Sequence, residues 1–188
     1  ALAAWNDALR CWIELRRFDE TRDALAQACA LTQQVHERAL LRAREVHHLF
    51  NSRQIGEALR EAAALVDELS ASTHALDAEE LVYALRGVCY AVQGGLSATR
   101  VLDLCETLRP TVSRAGGEVL AGFALARGAT LLWGAQPLEA AAELEAVWPT
   151  LGEDSDPYLR RAVANQLMRV RQALGDSAGA VEIGQTLL

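Results

Sequence analysis

The sequence predicts an all-α fold of about five stacked antiparallel helical hairpins, and three observations predict it. Alanine and leucine dominate while aromatic residues make up only 5% of the chain, which favours helix over strand. One stretch, Leu81–Leu102, spells a single hairpin joint: a helix, a two-glycine stop at Gly94–Gly95, and the start of a second helix. The same layout recurs. A small residue falls early in each second helix, at Thr21, Ala58, Thr99, Ala140 and Ala180, with spacings of 37, 41, 41 and 40 residues. Fixed self-similarity in this range marks an α-solenoid, because one hairpin cannot bury its apolar stripe alone whereas stacked hairpins share a continuous core.

Ten helices are predicted. The first covers about Leu2–Arg16 and the second about Asp19–Gln33. The third covers about Glu37–Asn51 and the fourth Ile55–Ser70, followed by a loop at Ser72–His74. Asp77 opens the fifth, which runs to Gln93. Within it, Leu81–Val92 carries one charge, Arg86, and a stretch apolar all round is expected to be buried all round. Gly94 and Gly95 are both expected at positive φ, and Ser97 caps the sixth helix, about Ser97–Arg114. Pro110 lies inside that helix and is expected to kink or end it. Gly116–Gly117 breaks the chain before the seventh helix, Glu118–Trp133. Pro137 sits in the first turn of the eighth, where proline is tolerated, and the helix ends near Trp148–Pro149. After an acidic loop at Gly152–Asp156, Pro157 opens the ninth, which ends at Gly175; the tenth begins near Asp176.

These residues resemble the tetratricopeptide repeat family. Tyr83, Gly87, Tyr90, Gly94 and Thr99 follow that family's pattern of aromatic, small residue, aromatic, glycine turn and small residue. Gly128, Leu131, Gly134 and Ala140 keep most of it, and Ala164, Met168, Gly175, Asp176 and Ala180 keep its turn and alanine. Trp5, Ala8 or Leu9, Trp12, Phe18 and Thr21 keep its aromatics; Arg42, Val46, Leu49, Ile55 and Ala58 match more loosely. The repeat is longer than the family's usual length of about 34 residues. That is similar to the long-repeat arrays attached to bacterial signalling proteins and transcription regulators. The resemblance implies a right-handed superhelix whose concave face is lined by the first helix of each hairpin. It also implies that Tyr83, Gly87 and Tyr90 pack inside the third repeat.

The array reads as a single domain over residues 1–188. It begins at Ala1 without methionine and ends at Leu188 inside a helical pattern, so a longer parent protein is expected. The net charge is −7, and all eighteen basic residues are arginine, a coding bias toward GC-rich codons. There is no basic stripe, so direct nucleic-acid binding by this domain is not expected. Between Gly128 and Leu159 stand six acids (Glu139, Glu143, Glu145, Glu153, Asp154 and Asp156) and no arginine. They read as a solvated face or as a docking patch for a basic partner. Cys11, Cys29, Cys89 and Cys105 are widely spaced in apolar stretches without a CxxC pair. They read as small buried hydrophobes in a reducing, cytoplasmic compartment. The longest apolar run, Val119–Trp133, is too short to span a bilayer and contains Arg127, so no membrane association is expected.

Few constellations could carry chemistry. Glu45 and His48 give one Glu-x-x-His, but a di-iron bundle needs two such motifs plus two carboxylates. His36 and His74 lie near helix ends. There is no phosphate loop, no Gly-x-Ser-x-Gly and no nucleophile–base pair. No catalytic residue, metal or cofactor is expected, and the chain does not read as an enzyme. More informative is a ladder in one register: Glu45, Arg86 and Arg127, spaced by 41 residues. It reads either as structural pairing, such as Glu45 with Arg86, or as a cation facing a carboxylate or phosphate ligand.

In the family's register the concave positions of the third and fourth repeats are Leu81, Ala84, Val88, Ala91 and Val92, then Gly122, Leu125, Ala129, Leu132 and Trp133. All are apolar or small. The outer repeats place Asn6, Arg10, Glu14, His47, Asn51, Asn165, Arg169 and Gln172 there, a polar rim. Ala43, Ala84 and Val88, with Asn6 and Arg10, depart from the family's lysine–asparagine clamp for acidic tails. The expectation is a protein-interaction module that takes a peptide or helix in an apolar groove. A tightly wound superhelix would instead bury the same residues against its own helices. The alternatives are a small-ligand sensor controlling an attached output domain, and a structural module that self-associates.

Overall fold

The structure, a computed structural model, describes residues 17–31, 35–71 and 76–187. The predicted first helix, with Trp5, Asn6, Ala8, Leu9, Arg10, Cys11, Trp12 and Glu14, lies outside these, as do Ser72–His74 and the side chains of Phe18, Cys29 and His36. The described residues are all-α, without a strand. In chain order the helices are α1 (Phe18–Leu31), α2 (Val35–Asn51), α3 (Ile55–Ala71), α4 (Ala78–Gln93), α5 (Ala98–Ala115), α6 (Gly117–Trp133), α7 (Pro137–Val147), a 3₁₀ turn (Trp148–Thr150), α8 (Pro157–Ala173) and α9 (Ser177–Gln185). Each begins and ends close to its predicted bounds. Of the two outcomes expected at Pro110, the early end is corrected: α5 continues through it to Ala115, with Val112 fully buried in the last turn.

The turn inside each described hairpin is built the same way four times. The N–H groups of Gln54, Leu96, Gln136 and Asp176 donate to the carbonyls of Leu49, Ala91, Leu131 and Arg171 at 2.8–3.0 Å. The residue before each donor is left-handed: Arg53 (φ 62°), Gly95 (112°), Ala135 (59°) and Gly175 (79°). This six-residue closure satisfies carbonyls that the helix end leaves open. Gly94 has φ −82°, so of the two glycines expected at positive φ only Gly95 takes that role. At the other end of α4, Asp77 and Glu80 form a reciprocal capping box: Asp77 accepts from the Glu80 N–H at 2.9 Å and Glu80 accepts from the Asp77 N–H at 3.1 Å.

The hairpins α2–α3, α4–α5, α6–α7 and α8–α9 stack in order, with α1 against α2. Neighbouring first helices (α2, α4, α6, α8) touch one another far more extensively than neighbouring second helices do, so the array curves with the first helices inside. Close approach is set by small residues. A Cβ on Gly87 of α4 would lie 2.9 Å from the Ala43 carbonyl oxygen of α2, so the two backbones are already at contact. Tyr83 and Tyr90, a turn either side of Gly87, lie over α2 and not inside the repeat as expected. Tyr83 sits beneath the Arg44 guanidinium, Tyr90 stacks on His47, and they are 38% and 43% exposed. Glycine brings α2 too close for two bulky rings to fit between the helices, so the rings lie on its flank, partly exposed.

Glu45 on α2 shows a cost of this packing. Arg42 commits to Glu61 (3.3 Å) and Glu68 (2.9 Å) of α3. Glu45 forms no ion pair among the described residues. Burial first, and then Glu61, raise its pKa above the ordinary value. The folded state therefore holds this proton more tightly than the unfolded chain. The penalty is present at neutral pH and vanishes as pH falls through the folded pKa to about 4, the ordinary glutamate range.

Three outcomes are expected. Glu45→Gln raises the melting temperature at pH 7, and the gain disappears near pH 4 in paired thermal scans. Gly87→Leu costs about 1–3 kcal/mol in chemical denaturation, because a backbone carbonyl cannot move aside; an unchanged midpoint would contradict the α2–α4 approach. Ala135→Gly relieves a left-handed alanine and stabilises by about 1 kcal/mol, or roughly 2–4 °C for a chain of this size.

Candidate functional site

A hollow of about 210 Å³ opens on the inner face, lined by the first helices of three successive hairpins. Its floor is α6, which contributes Leu125 and Ala129, with Trp133 at one end; α4 and α8 flank it. Helix α4 supplies Arg86, Cys89 and Tyr90. Helix α8 supplies Tyr158, Arg161, Ala162, Asn165, Gln166 and Arg169. Arg86 and Tyr158 reach toward each other over α6, with the guanidinium carbon 5.4 Å from the ring centroid. Asp156 fixes the start of α8 by accepting from the Tyr158 N–H at 2.9 Å, and its own N–H donates to Glu118 of α6 at 2.6 Å.

Among the described residues, the charged groups lining the hollow are three arginines, and no acid lines it. Among the described residues, Arg86, Arg161 and Arg169 form no ion pair, although the chain carries 25 acids against 18 arginines. Arg127 stands one repeat after Arg86 and behaves oppositely. It pairs with Glu106 of α5 at 3.1 Å and with Glu143 of α7, and Arg109 joins the same two carboxylates. Counting back 41 residues, the counterparts of Glu106 and Glu143 are Leu65 and Leu102. Arg86 therefore has no acid where Arg127 has two. The ladder resolves into a structural rung at Arg127 and a hollow-facing one at Arg86. The expected Glu45–Arg86 pair does not form, since Glu45 faces α3.

Neighbouring groups respond to this charge. His47 stacks on Tyr90 with centroids 5.7 Å apart and planes 6° from parallel. Burial first, and then Arg86, hold its imidazole below the ordinary value, so it is neutral at pH 7. Burial raises the Tyr90 phenol, while Arg86 and Arg169 partly offset that. Cys89 is 3% exposed and its thiol is pushed up to about 12, chiefly by burial, so it is protonated and unreactive at pH 7. Cys105 is alike, also about 12. Among the described residues no three His, Cys, Asp or Glu side chains are grouped to hold a metal ion, and no helix is long and apolar enough to cross a membrane.

The residues expected in the groove separate. Leu81, Ala84, Val88 and Ala91 are fully buried and Val92 is 7% exposed. These positions of the third repeat are sealed, because α2 and α6 close on α4 from both sides. An apolar floor there is corrected to core. Gly122 is buried with them, against Val82. In the fourth repeat Leu125, Ala129 and Trp133 do line the hollow, while Leu132 packs against the core of α6–α9. Of the polar rim, Asn165 and Arg169 line the hollow and His47 stands beside it on Tyr90. Asn51 is exposed and donates to the His47 carbonyl, and Gln172 is exposed. Asn6 and Arg10 lie outside the described residues. Half of the expected acidic patch is tied down: Glu143 pairs with Arg109 and Arg127, Glu145 with Arg171, and Asp156 caps α8.

Sequence reasoning missed Tyr158, Arg161 and Gln166. The loss of both acids that neutralise Arg127, one repeat back, is a signal for Arg86 and for none of these three.

No family model and no curated protein matches the chain. Two solved structures do, both of the nearly identical TPR-like repeats of a putative kinesin light chain from Podosopora anserina. One, a variant carrying a glutamine-to-methionine substitution, superposes with a TM-score of 0.66 and the other with 0.64; each is 17% identical, over 99% of this chain and 92% of that one. At that identity the likeness speaks to the fold: the chain is a TPR-like all-α solenoid.

Proposed function

We propose that this chain is a protein-interaction module that receives an acidic segment of a partner protein along the inner face of α4, α6 and α8. The observation that carries this is the cluster of Arg86, Arg161 and Arg169, uncancelled by any lining acid in a chain of net charge −7. Such a cluster suits carboxylates, which guanidinium groups bind through paired hydrogen bonds. The half-exposed rings of Tyr90, Tyr158 and Trp133 beside it offer the aromatic surface that interfaces favour. The fold, shared with TPR-like repeats, presents this face as an extended scaffold. This replaces the purely apolar groove, whose third-repeat half is core.

The test is a charge reversal at two exposed positions. Arg161→Glu with Arg169→Glu should reduce capture of an acidic, aromatic-containing peptide at least tenfold in a binding titration. Stability should move by no more than about 0.5 kcal/mol per site, as for ordinary surface changes. Unchanged capture would remove the inner face as the docking surface.

A further inference from the structure

The hollow is lined by a buried amide whose nitrogen has no partner among the described residues. Gln166 is 7% exposed, lines the hollow, and its Nε2 has no hydrogen-bond partner. An unsatisfied buried donor is a standing penalty that a bound acceptor removes. Arg86 shares the hollow, carries no ion pair among the described residues and lies over the Tyr158 ring. The volume, about 210 Å³, exceeds the roughly 150 Å³ of a cavity that admits one benzene ring and falls short of the ~300–1,000 Å³ of larger ligand sites. Leu125 and Ala129 give it an apolar floor, and Tyr90 and Tyr158 stand at its walls.

We infer that the hollow is a binding site for a small one-ring aromatic anion, a carboxylate or phosphate monoester. The anionic group takes the Arg86 guanidinium and the Gln166 amide donor, and the ring rests on the Leu125–Ala129 floor beside the two tyrosines. An anion without a ring leaves the floor uncovered. A ring without a charge leaves Arg86 and Gln166 unmatched. The inference goes beyond the interaction reading and does not rest on it, because it uses the hollow's interior and not a partner's chain.

Calorimetric titration of the full chain with benzoate and with phenyl phosphate tests this, with acetate and benzyl alcohol as controls. At least one of the two aromatic anions should bind saturably, with both controls at least tenfold weaker. Gln166→Leu and Arg86→Met should each weaken binding tenfold or more. Gln166→Leu should hold or raise the melting temperature, so its loss of binding cannot be unfolding; a merely unsatisfied core amide would give the thermal gain without the binding loss. No saturable binding by either anion, equal binding of acetate, or variants that bind like the parent overturns the inference. Probe binding without acidic-peptide capture overturns the interaction reading alone, and capture without probe binding overturns this one alone.

Discussion

Close approach of successive first helices at Gly87 and Gly122 is the constraint on which the rest of the structure depends. A Cβ added at Gly87 would meet the Ala43 carbonyl oxygen at 2.9 Å, and one at Gly122 would meet Val82 Cγ1 at 2.8 Å. At Gly87 the helices leave no room for a side chain between them, so larger groups are pushed to either flank. On one flank Leu81, Leu85 and Val88 join the core. On the other, Tyr83 and Tyr90 lie over α2 with their rings partly exposed. Because the first helices crowd and the second helices do not, the array bends, and the inner face gains a concavity that an evenly spaced stack would lack.

The hollow is where that bend meets a break in the repeat. Arg127 is a half-buried cation neutralised by Glu106 and Glu143, both drawn from second helices. One repeat earlier the same frame holds Leu65 and Leu102, and both serve the apolar core. The exchange trades a charge network for hydrophobic contact between layers and leaves Arg86 with a ring beneath it and no counter-charge. Tyr158 can take that place because Asp156 and Glu118 pin the chain as it enters α8.

The fold was legible because it rests on local signals. Gly95 and Gly175, Asp77 with Glu80, and Pro157 mark helix ends through backbone geometry that any neighbour would show. Arg53 and Ala135 were opaque for the converse reason: they hold the left-handed turn position without the residue type that favours it, so only the closed turn reveals them. The site was legible in part. Leu125, Ala129, Trp133, Asn165 and Arg169, named from the repeat register, line the hollow. Leu81, Ala84, Val88 and Val92 were misplaced because register says which residues face inward, not whether the next helix covers them. Gln166 was invisible, since an unsatisfied amide is a property of its surroundings and not of its letter.

The uncancelled arginines sit inside a negative envelope, and that nesting makes distance matter. Electrostatic influence reaches about 30 Å at 0.01 M salt and about 10 Å at 0.1 M. A dilute-salt solution therefore shows an approaching anion the whole net charge of −7, which repels it. At moderate salt the outer charges fade, and the anion meets only the groups nearest the hollow. Added ions, which loosen an ordinary surface pair, here first lower a barrier to encounter before they weaken the contact itself. For an anion directed at these arginines, ionic strength thus sets two opposed effects in sequence, a falling barrier and then a weakening contact.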